Sequence, residues 1–454
     1  MAKYQQYAEY KDSGVEWLGE IPNSWIATNL KRYCQITDGS HHSPSIESEG
    51  LPFVSVTDVG INEINFIDAK KISNQAFLRL VKEGCKPSIG DILLTKDGTI
   101  GRACIITEEM PEFVILSSLG LITPSKHLIN KYLYYFLISG INIDQMNSVI
   151  HGSALRRMTI SKINDLVLVY PLLKTEQTQI ANFLDHETAK IDSLIEKQQQ
   201  LIQLLKEKRQ AVISHAVTKG LNSNVPMKDS GVEWLGQVPE HWDTTKIKYV
   251  AELTPKKSEV SSNDNRLCTF VPMEKLKLGS LIKDEEKPIS EVIGGYTYFK
   301  NGDLLLAKVT PCFENKNMVV ASDLKNGIGF GSSEIYVLRT NHKVNTQFLY
   351  YRLQEDQFME LGTGAMTGAG GLKRVPSEFL NNFEFALPPL SEQIAITKYL
   401  NQYLIKNEYL MNKAQSAIQL MQERRTALIS AAVTGKIDVR NWQNPTEAKM
   451  EFSA

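Results

Sequence analysis

Cysteine is scarce in this chain: five in 454 residues, at positions 34, 85, 104, 268 and 312, with no Cys-x-x-Cys pair. That scatter excludes a disulfide frame and a cysteine zinc site, and it fits a reducing compartment such as the cytoplasm. No apolar run approaches the ~20 residues of a membrane span, and residues 1–10 carry no apolar signal-peptide core. An excess of either charge is missing too, with 50 Lys and Arg against 51 Asp and Glu. Segment 26–170 holds 14 basic and 14 acidic residues, and segment 243–387 holds 18 of each. A simple electropositive nucleic-acid module is therefore excluded, and any DNA affinity must come from clustering on one face or be shared with a partner.

Catalytic signatures are equally thin. There is no Gly-x-x-x-x-Gly-Lys-Ser/Thr loop, since Gly435-Lys436 is followed by Ile437, and the glycine-rich stretch 362–371 has the wrong spacing for a phosphate cradle. The Asn/Asp-Pro-Pro-Tyr/Phe element of amino-methyltransferases is absent; Leu387-Pro388-Pro389-Leu390 lacks the polar first residue. Asp68-x-Lys70 and Glu285-x-Lys287 fit the tail of a nuclease motif, but such triplets arise by chance. His41-His42 beside Asp38 suggests a metal, yet no third imidazole is near and adjacent residues rarely point at one ion. The expectation is no catalytic residue, no metal and no cofactor.

What the chain has is a duplication. Residues 11–19, Lys-Asp-Ser-Gly-Val-Glu-Trp-Leu-Gly, recur unchanged at 228–236, and the match resumes at Pro22/Pro239 and Trp25/Trp242. Glu176-Gln177 recurs as Glu392-Gln393, and Ala211, Ile213, Ser214, Ala216, Val217 and Thr218 recur as Ala427, Ile429, Ser430, Ala432, Val433 and Thr434. Between tag and helix the agreement is looser: the segment 90–96 answers 302–308, 131–135 answers 347–351, and Leu155-Arg156-Arg157 answers Leu372-Lys373-Arg374. Each half is a tag, a variable segment and a uniform helix. A shared frame with divergent contents suits two readers of different targets on one mount.

The variable segments carry short β-type runs, at 53–56, 92–95, 104–107 and 167–170 in the first half, broken by turn residues. One amphipathic helix is expected near 130–138 and its counterpart near 346–353. Residues 176–217 differ in kind. They contain no Gly or Pro and carry Ile191, Leu194, Ile195, Leu201, Ile202, Leu205, Val212 and Ile213 at near-heptad spacing. Thr175 is the expected N-cap and Glu176 suits the positive end of the dipole, while Thr218-Lys219-Gly220 ends the helix. The second copy, 392–433, has Leu404, Leu410, Met411, Ala414, Ala417, Ile418, Met421 and Leu428, after Pro388-Pro389 and before Gly435. About 42 residues at ~1.5 Å each make a rod of roughly 60 Å, too long a stripe for its own domain to cover. The two rods are expected to pair antiparallel, with the globular segments at opposite ends.

This arrangement resembles the DNA-specificity subunit of type I restriction–modification enzymes over nearly the whole chain. The doubled Ser-Gly-Val-Glu-Trp-Leu-Gly-x-x-Pro-x-x-Trp tag looks like the segment leading into each target recognition domain of that family. Pro388-Pro389-Leu390-Ser391-Glu392-Gln393 looks like the entry to its helix, as does Pro171-Leu172-Leu173-Lys174-Thr175-Glu176-Gln177 with a changed start. The helix ends at 208–214 and 424–430 match as well, and so does Asp38-Gly39-Ser40-His41-His42-Ser43-Pro44 followed by Gly50-Leu51-Pro52-Phe53. The second half has Thr254-Pro255-Lys256-Lys257 in place of that loop, so the loop's contacts do not carry over.

The resemblance implies an α+β fold: two mixed target recognition domains separated by two long antiparallel coiled-coil helices, in a pseudo-two-fold internal repeat. The expected divisions are a tag at 1–25, a recognition domain at 26–170, a helical spacer at 171–225, the repeated tag at 226–242, a second recognition domain at 243–387, a second spacer at 388–437 and a tail at 438–454. It also implies a non-catalytic subunit reading a bipartite double-stranded DNA target. Two methyltransferase (modification) subunits would dock along the helices, and two ATP-dependent restriction subunits would join them, with no membrane involved. Half-sites on one DNA face lie about 34 Å apart, within the reach of such a rod.

Candidate DNA contacts come from donor-rich loops at equivalent places, because Arg and Lys suit guanine, Asn and Gln suit adenine, and Ser or Thr suit either or phosphate. In the first half these are Ser40, His41, His42, Lys96, Thr99, Arg102, Ser153, Arg156 and Arg157. In the second they are Lys256, Lys257, Lys308, Thr310, Asn315, Lys316, Lys373 and Arg374. Trp17 and Trp234 are expected to pack on helix or domain. The rival reading is a coiled-coil scaffold whose mixed domains bind protein, which the near-neutral charge favours.

Overall fold

Strands form where β-branched and aromatic residues alternate between turn residues, and in this chain they assemble twice in corresponding order. A computed structural model describes residues 4–150, 156–261, 263–369 and 371–444. The chain divides into two units: residues up to 199 with those from 416 onward, and residues 200–415.

In the first unit a four-stranded antiparallel sheet runs Cys34–Asp38, Leu119–Pro124, Ile92–Thr95 and Ala103–Ile105, beside a three-stranded sheet of Lys70–Ile72, Leu51–Val54 and Val114–Ile115. The second unit has Ala251–Leu253, Ile335–Thr340, Leu304–Ala307 and Met318–Val320 in the matching order, and a four-stranded sheet of Glu286–Pro288, Leu267–Val271, Ile328–Gly331 and Thr297–Lys300. Each second sheet contains one parallel pair, Leu51–Val54 with Val114–Ile115 and Leu267–Val271 with Ile328–Gly331. Each segment is closed by its own first and last strands: Trp25–Asn29 on Val167–Pro171, and Asp243–Lys246 on Glu384–Leu387. The expected helices stand at Asn130–Ile138 and Thr346–Arg352, each carrying the buried Leu-Tyr-Tyr run 133–135 or 349–351.

The long helices are Lys174–Lys219, 46 residues, and Leu390–Val433, 44 residues. The first begins one residue before the expected cap: the amides of Glu176 and Gln177 both donate to the Leu173 carbonyl, which puts Thr175 inside the first turn. The inward positions of the first helix follow a 4-3 spacing through Ile191, Ile195, Gln198, Ile202, Leu205, Arg209 and Val212, and those of the second through Asn407, Met411, Ala414, Ile418, Met421, Arg425 and Leu428. Leu194, Leu201 and Leu410 each fall one residue before one of these positions and are 50%, 42% and 39% exposed. In the first unit Arg425 Nε lies 2.9 Å from Asp192 Oδ1. In the second, the buried Asn407 donates its amide to the Leu205 carbonyl at 3.1 Å.

The repeated tag and the repeated Glu-Gln meet. Trp25, fully buried, donates its indole N–H to Glu176 Oε1 at 2.9 Å, and Tyr7 donates to the same oxygen at 2.8 Å. Trp242 donates to Glu392 Oε2 at 3.1 Å, with His241 Nε2 at 2.8 Å from that oxygen. Gln177 accepts from the Ile129 amide and donates to the His127 and Pro171 carbonyls; Gln393 accepts from the Asn345 amide and donates to Lys343 and Pro388. Both glutamine amides thus spend one acceptor and two donors inside the protein, all that a buried side chain of this type needs. The glycines closing the long helices complete the motif at positive φ. A Cβ on Gly435 would sit 2.4 Å from Pro22 in the first unit, and one on Gly220 would sit 3.3 Å from Trp242 in the second. Trp234 stacks on Phe383 at 4.8 Å, whereas Trp17 is 46% exposed.

Replacing Glu176 by Ala leaves two buried donors without an acceptor and is expected to cost about 3 kcal/mol, against about 2 kcal/mol for Trp25→Phe, which leaves Tyr7 bonded but opens a small cavity. Denaturant unfolding of the two variants checks the ranking. Burial also pushes the Cys34 and Cys104 thiols up to about 12 and Cys268 up to about 11. Cys312 alone of the five is partly exposed, so an alkylating reagent at pH 8 is expected to label it first, read by peptide mass.

Candidate nucleic-acid interface

In the first unit, the turn after Cys34–Asp38 is drawn against the second sheet. Ser40 donates its amide to the Ile115 carbonyl at 2.9 Å and accepts from Ser117, and a Cβ on Gly39 would meet the Ile115 oxygen at 2.1 Å. Only glycine permits that approach. The Ser40 hydroxyl is spent on the His42 carbonyl, 2.7 Å away, and its residue is 3% exposed. Ser40 therefore shapes the turn that presents the exposed His41 and His42 and offers no surface itself.

A chain of alternating basic and acidic side chains links this turn to two other loops. His41 Nε2 is 3.1 Å from Asp38 Oδ2, Lys96 Nζ is 3.9 Å from both Asp38 and Asp97, and Arg157 Nε is 3.3 Å from Asp97 Oδ2. Backbone bonds knit the same loops: Gly98 donates to the Arg156 carbonyl and Met158 to the Lys96 carbonyl, both at 2.8 Å. Lys96 itself is 6% exposed. Its ammonium therefore lies beneath the surface, 3.9 Å from two carboxylates, with little of it open to a direct contact. Thr99 and Arg102 are exposed on the same loop, with the Arg102 amide donating to Thr95 Oγ1. Arg156 is exposed and donates to Asn147 Oδ1. Ser153 lies outside the described residues.

The second unit gathers the corresponding residues around the end of Leu304–Ala307. Thr310 donates its amide to the Lys373 carbonyl at 3.0 Å, Val375 donates to the Lys308 carbonyl at 2.9 Å, and Val309 bridges Arg374. The Thr310 hydroxyl donates to the Gly371 carbonyl and accepts from the Lys373 amide. Lys308 Nζ sits 5.2 Å over the Tyr336 ring, and Arg374 makes two bonds to Glu334. Lys373, Asn315 and Lys256 are exposed. Lys316 is tied to Asp356 at 2.6 Å and to the Gln354 carbonyl, and Lys257 donates to the Ile293 carbonyl, so both lysines already have partners.

The residue pairs duplicated in sequence, Lys96/Lys308 and Arg157/Arg374, are thus brought together by the same backbone pairing in each unit. Sequence reasoning missed the carboxylates. Asp97 could have been suspected from its neighbour Lys96; Glu334 arrives from another strand and gives no local signal. Among the described residues no His, Cys, Asp and Glu group could hold a metal ion, and no helix is long and apolar enough to cross a membrane.

A family model described as the type I restriction modification DNA specificity domain matches residues 52–204 and 239–420. The specificity subunit of the type I restriction enzyme EcoAI of Escherichia coli is 34% identical over 190 residues, 41% of this chain and 32% of that protein. The chain spans about a third of the length of the EcoAI and EcoEI relatives it matches. By fold it is similar to a chain from the type I R-M system solved for its complex assembly and conformational transition, with a TM-score of 0.64 at 15% identity, covering 92% of this chain and 99% of that one. The HsdS subunit from Thermoanaerobacter tengcongensis gives 0.50 at 16% identity, over 92% and 98%.

Lys96→Ala, which strips two inward carboxylates of their shared cation, is expected to lower stability by about 1–3 kcal/mol. Arg157→Ala removes a side chain 61% exposed and leaves Asp97 its contact with Lys96, so it is expected to cost about 1 kcal/mol or less. Denaturant midpoints of the two variants compare them directly.

Proposed function

The chain belongs to the type I restriction–modification DNA specificity family, and from that premise we propose that it is a non-catalytic subunit that reads a bipartite site on double-stranded DNA. Each mixed domain reads one half-site through its loop cluster: His41, His42, Thr99, Arg102, Arg156 and Arg157 in the first, and Lys256, Thr310, Asn315, Lys373 and Arg374 in the second. Lys96 and Lys308 order those loops from behind. The observation that carries the reading is the matching architecture of the two clusters, built on one backbone pairing but lined by different side chains. Divergent linings on a common frame are what reading two unlike half-sites requires. The neutral totals become intelligible, because a guanidinium already paired with a carboxylate attracts phosphate weakly and relies on hydrogen-bond geometry.

The long helices act as an antiparallel spacer in a pseudo-two-fold arrangement. In support, the start of the first helix and the end of the second both reach Trp25 in the first unit, through Glu176 and Gly435, while Asp192 meets Arg425 farther along. In the second unit Glu392 and Gly220 flank Trp242, and Asn407 meets Leu205. Helices of 46 and 44 residues are about 65–70 Å long, enough to hold readers one DNA turn apart. Two methyltransferase subunits dock on the outer helix faces, and two ATP-dependent restriction subunits complete a cytoplasmic complex. Exposed leucines at equivalent positions support paired docking: Leu194 with Leu410, and Leu204 with Leu420, the latter two 61% and 64% exposed. Identical patches on related halves recruit two copies of one partner.

Mapping methylated adenines in DNA from cells carrying the chain and its methyltransferase is expected to give two short fixed motifs separated by a gap of any sequence. Adding one turn to both long helices, about 5 Å each, is expected to change the gap and leave both motifs alone. An unchanged gap refutes the spacer, and a complete lack of sequence-dependent DNA binding returns the scaffold reading.

A further inference from the structure

The arginine that both halves share is held by a different carboxylate in each. In the first unit Arg157 has a single 3.3 Å contact, Nε to Asp97, on the loop that follows Ile92–Thr95. In the second unit Val309 occupies the equivalent of Asp97, and the carboxylate comes from Glu334, just before Ile335–Thr340. The counterpart of Glu334 is Ser118: the Lys96 amide donates to the Ser118 carbonyl at 3.1 Å as the Lys308 amide does to Glu334 at 3.0 Å. Ser118 is engaged elsewhere, its hydroxyl accepting from the Val56 amide.

The Glu334 grip on Arg374 is two-pronged, Nε to Oε2 at 2.9 Å and Nη2 to Oε1 at 3.0 Å. Both backbones are fixed as well. Arg374 exchanges amide–carbonyl bonds with Thr367 at 2.8 and 3.0 Å, and the next residue, Val375, is held by Lys308 and by the Tyr336 hydroxyl. The guanidinium has three edges. Glu334 takes the Nε–Nη2 edge, and among the described residues nothing else claims the terminal Nη1–Nη2 edge of a side chain 47% exposed. That edge is the fork that matches O6 and N7 of guanine in the major groove. A clamped fork loses less rotational freedom on binding than a loose one, and its neutralised charge favours base geometry over bare phosphate.

Resting on the reading proposed above, we propose that Glu334 is a specificity-positioning residue: it aims the terminal edge of Arg374 at a guanine, so the second domain's half-site contains a G·C pair read by Arg374. The first domain, with a one-pronged Asp97 and serine in place of Glu334, aims Arg157 differently.

The test is selection of bound sequences from a randomised duplex pool by the full chain with its methyltransferase, for wild type, R374A, E334A, E334Q and the swapped pair E334R/R374E. Thermal melting verifies that each variant is folded. The expected wild-type result is a bipartite motif with guanine at one position of one half. R374A and E334A should each relax that position alone, by about ten- to a hundredfold, with E334Q, which keeps one acceptor, relaxing it less. E334A should also steepen the salt dependence by about 0.9 in log–log slope as the freed arginine finds a phosphate. The swapped pair should regain melting temperature but not the guanine preference. If R374A relaxes a position that E334A leaves untouched, Glu334 has no such part. If R374A weakens all sequences alike and lowers the salt slope, Arg374 binds phosphate and the inference falls. Recovery of guanine preference by the swapped pair would show the contact to be merely structural. A wild-type selection without two half-motifs would overturn the parent reading and this one together.

Discussion

The fold turns on one hydrogen bond made twice, fully buried in the first unit and partly buried in the second: an indole N–H from the tag onto the glutamate that opens a long helix. A carboxylate at a helix N-terminus already sits in a favourable field, and burying it against a tryptophan couples three things that are far apart in sequence. The tag cannot leave without stranding the glutamate. The helix cannot rotate without breaking the adjacent glutamine's three bonds to the loop before the Asn130–Ile138 or Thr346–Arg352 helix and to the last strand. The start of each long helix is therefore tied to its own domain by side chains that are bonded on both sides.

Much of this was legible from residues alone because it is periodic or duplicated. The 3.6-residue rhythm and the want of Gly and Pro gave away the long helices, and the Leu-Tyr-Tyr runs marked the short ones. Repetition of Trp25/Trp242 and Glu176/Glu392 signalled that each mattered, though not that they touch, since a bond across 150 residues leaves no local pattern. The apolar stripe was read too generously. Leucines one place from an inward position look equivalent on paper, and only their burial tells Leu205 from Leu201.

The interface loops were less legible, for a physical reason. Lysine is nearly always on the surface, so a lysine sunk between Asp38 and Asp97 contradicts the prior that made Lys96 a candidate contact. Its duplication as Lys308 marked a place where both loops share one backbone pairing. The carboxylates that restrain Arg157 and Arg374 come from different loops in the two units, and composition counts them only as cancelling charge. A near-zero net charge, which read as an argument against nucleic acid, is in part the sum of these restraints.

The first unit is stitched from both extremes of the chain. Tyr10 donates to the Gly435 carbonyl, the Asp438 amide to Gln5, and Tyr132 to the Val433 carbonyl, while every segment of the second unit lies between residues 200 and 415. During synthesis the second unit is thus complete while the first still lacks the end of its second helix. Until residues beyond 416 emerge, Trp25 has no Gly435 against it and the apolar wall that Ile429, Ala432 and Val433 will cover is open to water. The earlier-made half is the later to close, and its exposed wall is the surface a nascent chain must keep from sticking to its neighbours.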